Sequence, residues 1–308
     1  MTAPFARPVA FLSGPTASGK SALAIALAKE HGLAVISADS MQVYRGVEIG
    51  TAQPSESERE GVPHELLGFV EPGAEYHAAK FMVDAHAAIE RHAAEGRRSL
   101  VVGGTGLWIR ALRQGLFNGP SRDETIRARL RGLLEVGGVE ALYAHLEQID
   151  PEGARSLMPR DHIRILRAIE VFELSGRSIV DWHREDEARR AAMGPLPPIL
   201  LLDTPKGAHE IRIRKRIGDM LKLGWLEEAR RLRERGIPEH APPMKALGYP
   251  ELFRVLDGTL PMDEARELIF FATRQYARRQ RKWYRAETGV VHVDVAGARG
   301  AIESALGE

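Results

Sequence analysis

Val9-Ala10-Phe11-Leu12-Ser13-Gly14-Pro15-Thr16-Ala17-Ser18-Gly19-Lys20-Ser21 is the stretch that decides the fold. Its apolar start, Val9 to Leu12, runs into a glycine-bounded turn. Helix formers follow from Ser21 to His31, with Leu23 and Leu27 on one face. Gly14-x-x-x-x-Gly19-Lys20-Ser21 has the spacing of a phosphate-binding P-loop, and a strand before it with a helix after it is the context that pattern requires. Glycines let backbone amides turn inward around phosphate oxygens. The helix start adds partial positive charge, Lys20 adds a full one, and the Ser21 hydroxyl can hold Mg²⁺. The residues Gly14, Pro15, Thr16, Ala17, Ser18, Gly19, Lys20 and Ser21 are therefore expected to grip a di- or triphosphate. Which phosphate compound they hold, the loop leaves open.

Outward from this loop, Leu33–Ser37 and Ser99–Val102 are further apolar runs, with a helical stretch from His77 to Glu95 between them. Strand, helix and strand in alternation predict an α/β fold, a P-loop NTPase-like parallel sheet flanked by helices. The breaker clusters Asn118-Gly119-Pro120 and Gly194-Pro195-Leu196-Pro197-Pro198 bound a polar, helical block. Its helices are expected near Asp123–Glu135, Val139–Gln148 and Arg160–Leu174. The block reads as a helical insertion domain, 118–198, in a core made of 1–117 and 199–308. Ile199–Leu202 returns to the sheet, helices are expected over Ala208–Arg235 and Met262–Glu287, and Val290–Val295 reads as a last strand.

The chain has 308 residues, 44% of them apolar and 28% charged, which allows a substantial core and two domains. With no cysteine there are no disulfides, thiolate metal sites or cysteine nucleophiles, and a reducing cytoplasm is the default compartment. No run approaches the ~20 apolar residues that cross a bilayer, so no membrane partner is expected. Met1 to Pro8 lacks the features of a secretory signal. With a formal net charge of only +1, a nucleic-acid partner cannot be argued from the total and must be argued from charge placement.

Placement is informative. Arg274 to Arg285 carries six arginines and lysines in twelve positions, interleaved with Tyr276, Trp283 and Tyr284. Such a helix can line a phosphate backbone and offer stacking rings. Asp39 follows the second apolar run directly, at the strand edge where ligands of open α/β sheets collect, and a carboxylate there can take a proton from a nucleophile. Asp203 ends Ile199–Leu202 in the manner of a Walker B aspartate, but Thr204-Pro205 behind it favours a helix-capping role. Val101-Val102-Gly103-Gly104-Thr105-Gly106 forms a third loop at the same edge. His64, His162 and His209 have no metal-ligand spacing, and Trp108 and Trp225 read as core.

Taken together, Gly14–Ser21, Ile36-Ser37-Ala38-Asp39-Ser40-Met41-Gln42-Val43-Tyr44, Ile49-Gly50-Thr51-Ala52, Pro63-His64 and Val102–Leu107 form a pattern that continues through Arg164, Arg167, Ala168–Val171, Leu202-Asp203, Arg212-Ile213, Arg216, Gly248-Tyr249 and Thr273–Trp283. In this order and spacing, spanning about Val9 to Val295, the sequence resembles the bacterial tRNA dimethylallyltransferases, or isopentenyl-tRNA transferases. The resemblance implies transfer of a dimethylallyl group from dimethylallyl diphosphate to N6 of adenosine 37, in the tRNA anticodon stem-loop. The P-loop would hold a diphosphate leaving group, with Mg²⁺ as cofactor on Ser21. By position, Asp39 would be the general base, Thr105 would contact the target nucleotide or the diphosphate, and Arg212 and Arg216 would neutralise the leaving group. Asp39, Ser40, Met41 and Gln42, with Thr105, Arg127, Ile163, Arg164, Ile165, Leu166 and Arg167, would touch tRNA, as would Lys245, Gly248, Tyr249, Arg278 and Arg279. A monomer is the default expectation.

The sequence departs from the family pattern at Gln53 (commonly lysine), Gly68 (usually aspartate), His77 (a serine) and Ile163 (a glutamine). Other readings of the same loop are a small-molecule kinase, an isopentenyltransferase acting on free adenine nucleotides, and a nucleotide switch without catalysis. The helical insertion and the basic C-terminal helix favour tRNA.

Overall fold

The computed structural model describes Phe5 and residues 8–307. The reading of Met1 to Pro8 as carrying no secretory signal lies largely outside them. Two compact units divide the chain, one spanning Leu116–Pro195 and the other the sequence on either side of it.

The larger unit is built on β1 (Val9–Ser13), β2 (Ala34–Ser37), β3 (His64–Glu65), β4 (Ser99–Gly103), β5 (Ile199–Leu202) and β6 (Val290–Val293). All neighbours pair in parallel, in the order β3-β2-β4-β1-β5-β6. β1, β2, β4 and β5 are buried along their whole length, as strands covered on both faces must be. Alternation sorts their side chains: Phe11, Ile36, Val101 and Leu201 enter one core, while Leu12, Val35, Leu100 and Leu202 enter the other.

Before the inserted unit come α1 (Lys20–His31), α2 (Glu48–Thr51), α3 (Glu56–Arg59), α4 (Ala78–Ala94) and α5 (Gly106–Gln114). Gly19, at φ 93°, turns the P-loop into α1. In α4, Phe81, Ala85, Ala88, Ile89 and His92 form the buried stripe of an amphipathic helix.

The inserted unit holds α6 (Glu124–Ile149), α7 (Pro151–Arg155), α8 (His162–Ser175) and α9 (Ile179–Ala191). The first two helices expected there are one element kinked at Gly138 (φ 69°). Leu130, Leu142, Leu146, Ile165, Ala168 and Ile169 form its core.

The chain then returns through β5 to α10 (Lys206–Lys222), α11 (Trp225–Glu234), α12 (Tyr249–Leu256), α13 (Met262–Arg285) and, after β6, α14 (Ala298–Leu306). The single helix expected over Ala208–Arg235 is broken by Gly224 at φ 96°, which ends one axis and starts another. The last strand stops at Val293, two residues short of its expected end.

Candidate active site

Three strand ends meet at one edge of the sheet, and each delivers a functional loop. β1 delivers the P-loop, β2 delivers Asp39, and β4 delivers Gly103-Gly104-Thr105. The last two touch: a Cβ on Gly103 would lie 2.1 Å from the Ala38 carbonyl oxygen, so only glycine lets them approach. The Ser40 amide donates to Thr105 Oγ1 at 3.0 Å, and that hydroxyl in turn donates to Ser40 Oγ at 3.3 Å. Asp39 Oδ1 accepts the Met41 amide at 3.0 Å, a local turn that fixes the carboxylate's direction.

A narrow cleft opens beside these loops. Lys20, Ser21, Ser37, Asp39, Gln42 and His64 make its polar lining, and Ala24, Val35, Pro54, Leu67 and Val102 contribute apolar surface. Burial lowers the Lys20 pKa to about 8; Asp39 opposes that shift and Arg216 adds to it. Arg216 is likewise held below its usual value by burial, against the attraction of Asp39. Lys20 and Asp39 therefore share this partly desolvated space, and the Arg216 charge acts on it from close by.

Arg212 and Arg216 are one turn apart on α10 and both address this edge. Arg212 Nη1 donates to the Ser18 carbonyl at 2.8 Å, and Arg216 Nη2 donates to the Thr51 carbonyl at 3.4 Å. Gln42 braces the same segment, with Nε2 donating to the Thr51 and Ala52 carbonyls and Oε1 accepting from Ser37 Oγ. Glu228 holds it from behind, accepting the Ile49 and Gly50 amides at 2.8 Å each and the Tyr249 hydroxyl at 2.6 Å.

Three residues that sequence reasoning did not place at the site belong to it. Gln280 accepts the Thr16 amide hydrogen, and His209 Nε2 donates to the Thr16 carbonyl at 2.7 Å. Burial lowers the His209 pKa, and Arg281, which donates to Nδ1 at 3.0 Å, lowers it further. That keeps a neutral ring with its proton on Nε2. Tyr276 lies close enough to Asp39 and Thr105 to sense both, and burial with the Asp39 charge holds its hydroxyl protonated. No local signal marks these three, because their partners are up to 264 residues away.

Several expected tRNA contacts are corrected by burial. Tyr249 is fully buried beneath Glu228, and at Gly248 (φ 91°) a Cβ would meet the Trp225 ring at 2.2 Å. Within the inserted unit Ile165 is fully buried and Leu166 packs on the core. Arg127 and Arg167 converge on the buried Glu170, at 2.7 and 2.6 Å. Burial of Glu170 would raise its pKa, but hydrogen bonds from the two guanidinia and the Asp123 amide outweigh it and hold the pKa near 2. These two forks order α6 against α8. Ile163 and Arg164 of that unit are exposed, as are Lys245, Arg278 and Arg279 of the other.

The rings of α13 face inward. Tyr284 is buried and Trp283 packs on Gly106, so neither is an open stacking platform. Asp203 accepts from His292 at 2.9 Å and does not cap α10, whose N-cap is Pro205. Trp108 and Trp225 are core, as expected. Gln53 donates to the Tyr44 carbonyl and lies against Gly68, while His77 Nδ1 caps α4, so these departures are locally accommodated.

A parallel sheet with a phosphate loop, a carboxylate at the next strand end and two facing arginines defines a P-loop group-transfer enzyme. The IPP transferase family model matches residues 42–287, and the isopentenyl transferase model matches residues 8–69. The tRNA dimethylallyltransferase of Geobacter metallireducens is 41% identical over 296 residues, covering 96% of this chain and 95% of that protein. The enzyme of the same name from Nitrobacter hamburgensis is 44% identical over 282 residues, covering 89% and 86%. Among solved structures, the tRNA isopentenylpyrophosphate transferase of Bacillus halodurans superposes with a TM-score of 0.71 at 32% identity, covering 98% of this chain and 97% of that one. A eukaryotic dimethylallyltransferase, described as acting on tRNA, gives 0.74 at 27% identity, covering 94% and 74%. The chain belongs to the IPP transferase family, that of the tRNA dimethylallyltransferases.

Proposed function

We propose that this enzyme transfers a dimethylallyl group from dimethylallyl diphosphate to N6 of adenosine 37 beside the tRNA anticodon, in the cytoplasm. The carrying observation is the cleft, where Lys20 and Asp39 meet beside the apolar surface of Val35, Leu67 and Val102, with Arg216 near enough for its charge to act on Lys20 and to feel Asp39. Such surface suits the apolar C5 chain of a dimethylallyl group.

The P-loop amides, Lys20 and Ser18 Oγ, a buried hydroxyl without a protein partner, hold the diphosphate. The target adenine leaves its stack to enter. Its N6 forms a bond to C1 of the dimethylallyl group as the C1–O bond breaks, and that electron pair departs on the diphosphate. The N6 proton passes to the Asp39 carboxylate. Lys20, Arg212 and Arg216 meet the charge of the leaving diphosphate. Thr105, tied to Ser40, contacts the target nucleotide or the diphosphate.

Mg²⁺ is the expected cofactor. Among the described residues no group of three or more acidic or histidine side chains could cage a metal. Ser21, which lines the cleft, suits an ion bound by one hydroxyl plus substrate phosphates and water. Bound there, Mg²⁺ would neutralise diphosphate charge.

Incubation with Mg²⁺, dimethylallyl diphosphate and unmodified tRNA, followed by mass analysis, should show a prenyl group on one adenosine. Phosphate transfer from ATP, or prenylation of free adenylate with tRNA untouched, would overturn the proposal.

A further inference from the structure

Gln280 lies on the inward face of α13, buried, and its amide spans two loops from different strands. Oε1 accepts the Thr16 amide hydrogen at 2.8 Å, inside the P-loop at the end of β1. Nε2 donates to the Gly104 carbonyl at 2.9 Å, at the end of β4, immediately before Thr105. The fit is tight: a Cβ on Gly104 would lie 2.1 Å from Gln280 Nε2. Flanking contacts repeat the arrangement. The peptide carbonyl of Thr16 is taken by His209, and one turn along α13 the Trp283 indole packs where a Cβ on Gly106 would lie, 2.2 Å away.

We propose that Gln280 is a positioning residue that sets the distance between the loop holding the diphosphate and the loops carrying Thr105 and Asp39. Asp39 follows Thr105 because Ser40 is bonded to it, so the link from Gly104 reaches the base. In-line displacement needs N6, C1 and the leaving oxygen held in near-attack geometry, and small misplacements are costly in rate. No main-chain pairing links Thr16 to Gly104, since the β1–β4 ladder ends at Ser13 and Gly103. Gln280 extends that ladder beyond its last rung. The same helix exposes Arg278, Arg279 and Lys282 on its outer side, so one element carries a charged face for RNA and a neutral latch for the reaction centre. The inference rests on reading the cleft as a prenyl-transfer site.

The chemistry of the latch supplies its own test. A carboxamide both donates and accepts, and so does a protonated carboxyl of the same shape, whereas a carboxylate only accepts and would face the Gly104 carbonyl. Gln280→Glu should therefore lose about tenfold or more in kcat/KM at pH 8.5, with its ratio to wild type rising about fivefold by pH 6. His209 and Arg281 face the same Thr16 peptide, and Gln280→Met, which adds no charge to shift them, is the control for their part in that ratio. Gln280→Met, which keeps the volume without either hydrogen bond, should lose a similar factor in kcat at every pH, with a smaller change in KM for tRNA. A pH-independent ratio for Gln280→Glu, or a Gln280→Met enzyme within about twofold of wild type, would overturn the assignment. Wild-type protein that forms no prenylated tRNA would instead remove the underlying reading of the cleft.

Discussion

Lys20 is the group whose charge the cleft makes conditional. Burial brings its pKa from 10.5 down to about 8, with Asp39 holding it up and Arg216 pressing it down. A diphosphate binds the ammonium and not the amine, so affinity is complete below this pKa and declines as pH rises through it. The apparent dissociation constant grows as one plus ten to the power of pH minus pKa. That is about twofold weaker at pH 8 than at pH 6 and about elevenfold weaker at pH 9, with a limiting slope of ~1.4 kcal/mol per pH unit. Calorimetric titration with a thio-analogue of dimethylallyl diphosphate, at constant free Mg²⁺ between pH 7 and 9.5, measures this directly. The thiolo-diphosphate is largely ionised across that range, so the ligand contributes little of the slope. Binding near pH 9 should also take up close to one proton, seen as a dependence of the heat on the buffer. Asp39→Asn removes the charge that supports the ammonium and should move the midpoint to lower pH. Lys20→Arg should abolish the slope, because guanidinium stays charged. An affinity that is flat over this range in wild type would refute the reasoning.

Asp39→Ala should lower kcat by ~10²–10⁴, the usual weight of a general base, while affinity for the diphosphate at pH 6, where Lys20 stays charged, remains near wild type. Unchanged single-turnover prenylation would remove Asp39 from the mechanism. Glu170→Ala leaves the half-buried Arg127 and Arg167 without their shared partner, at a cost of about 1–3 kcal/mol because both guanidinia can still reach water; hydrogen exchange of the intact chain should report it as lost protection in α6 and α8. Because the pKa of Glu170 is depressed from 4.5 to about 2, its contribution is complete above pH 4.5 and lost as pH falls toward 2. Protection of α6 and α8 that is indifferent to the substitution would show that the two forks do not hold these helices. Arg278→Ala and Arg279→Ala should each weaken tRNA binding and flatten the salt dependence of its affinity by about one unit of log–log slope. An unaltered slope would place tRNA phosphates elsewhere.

The sheet was legible in the sequence because its strands are buried on both faces and so appear as unbroken apolar runs between glycine-rich turns. Its loops were legible for a related reason: phosphate chemistry at a strand end requires glycine and a lysine at fixed spacing. What escaped was the direction in which side chains point on helices that return late in the chain. Arg127, Arg167 and Tyr249 have residue types suited to RNA contact, and each is committed to a carboxylate instead, Glu170 or Glu228. Basic residues on α13 were read as a set, but helical geometry divides them from the tyrosine and tryptophan between them, which pack inward.

That division explains why the P-loop here depends on the far end of the chain. In Gly14–Ser21 the motif itself fixes glycine freedom, a lysine and a helix start, yet the loop's Thr16 peptide is held on both sides by residues of α10 and α13. The Ser18 carbonyl is taken by Arg212 of α10 as well. A loop that served phosphate binding alone would need only its own glycines and helix N-terminus. Tethering it to the helices that carry Arg212, Arg216, Gln280 and the exposed arginines joins the phosphate loop to the cations proposed to meet the leaving diphosphate and to the exposed basic face proposed for RNA. On the proposed reaction, order along the chain follows the chemistry: the N-terminal strands would supply grip and base, and the C-terminal helices the cations and the alignment for displacement.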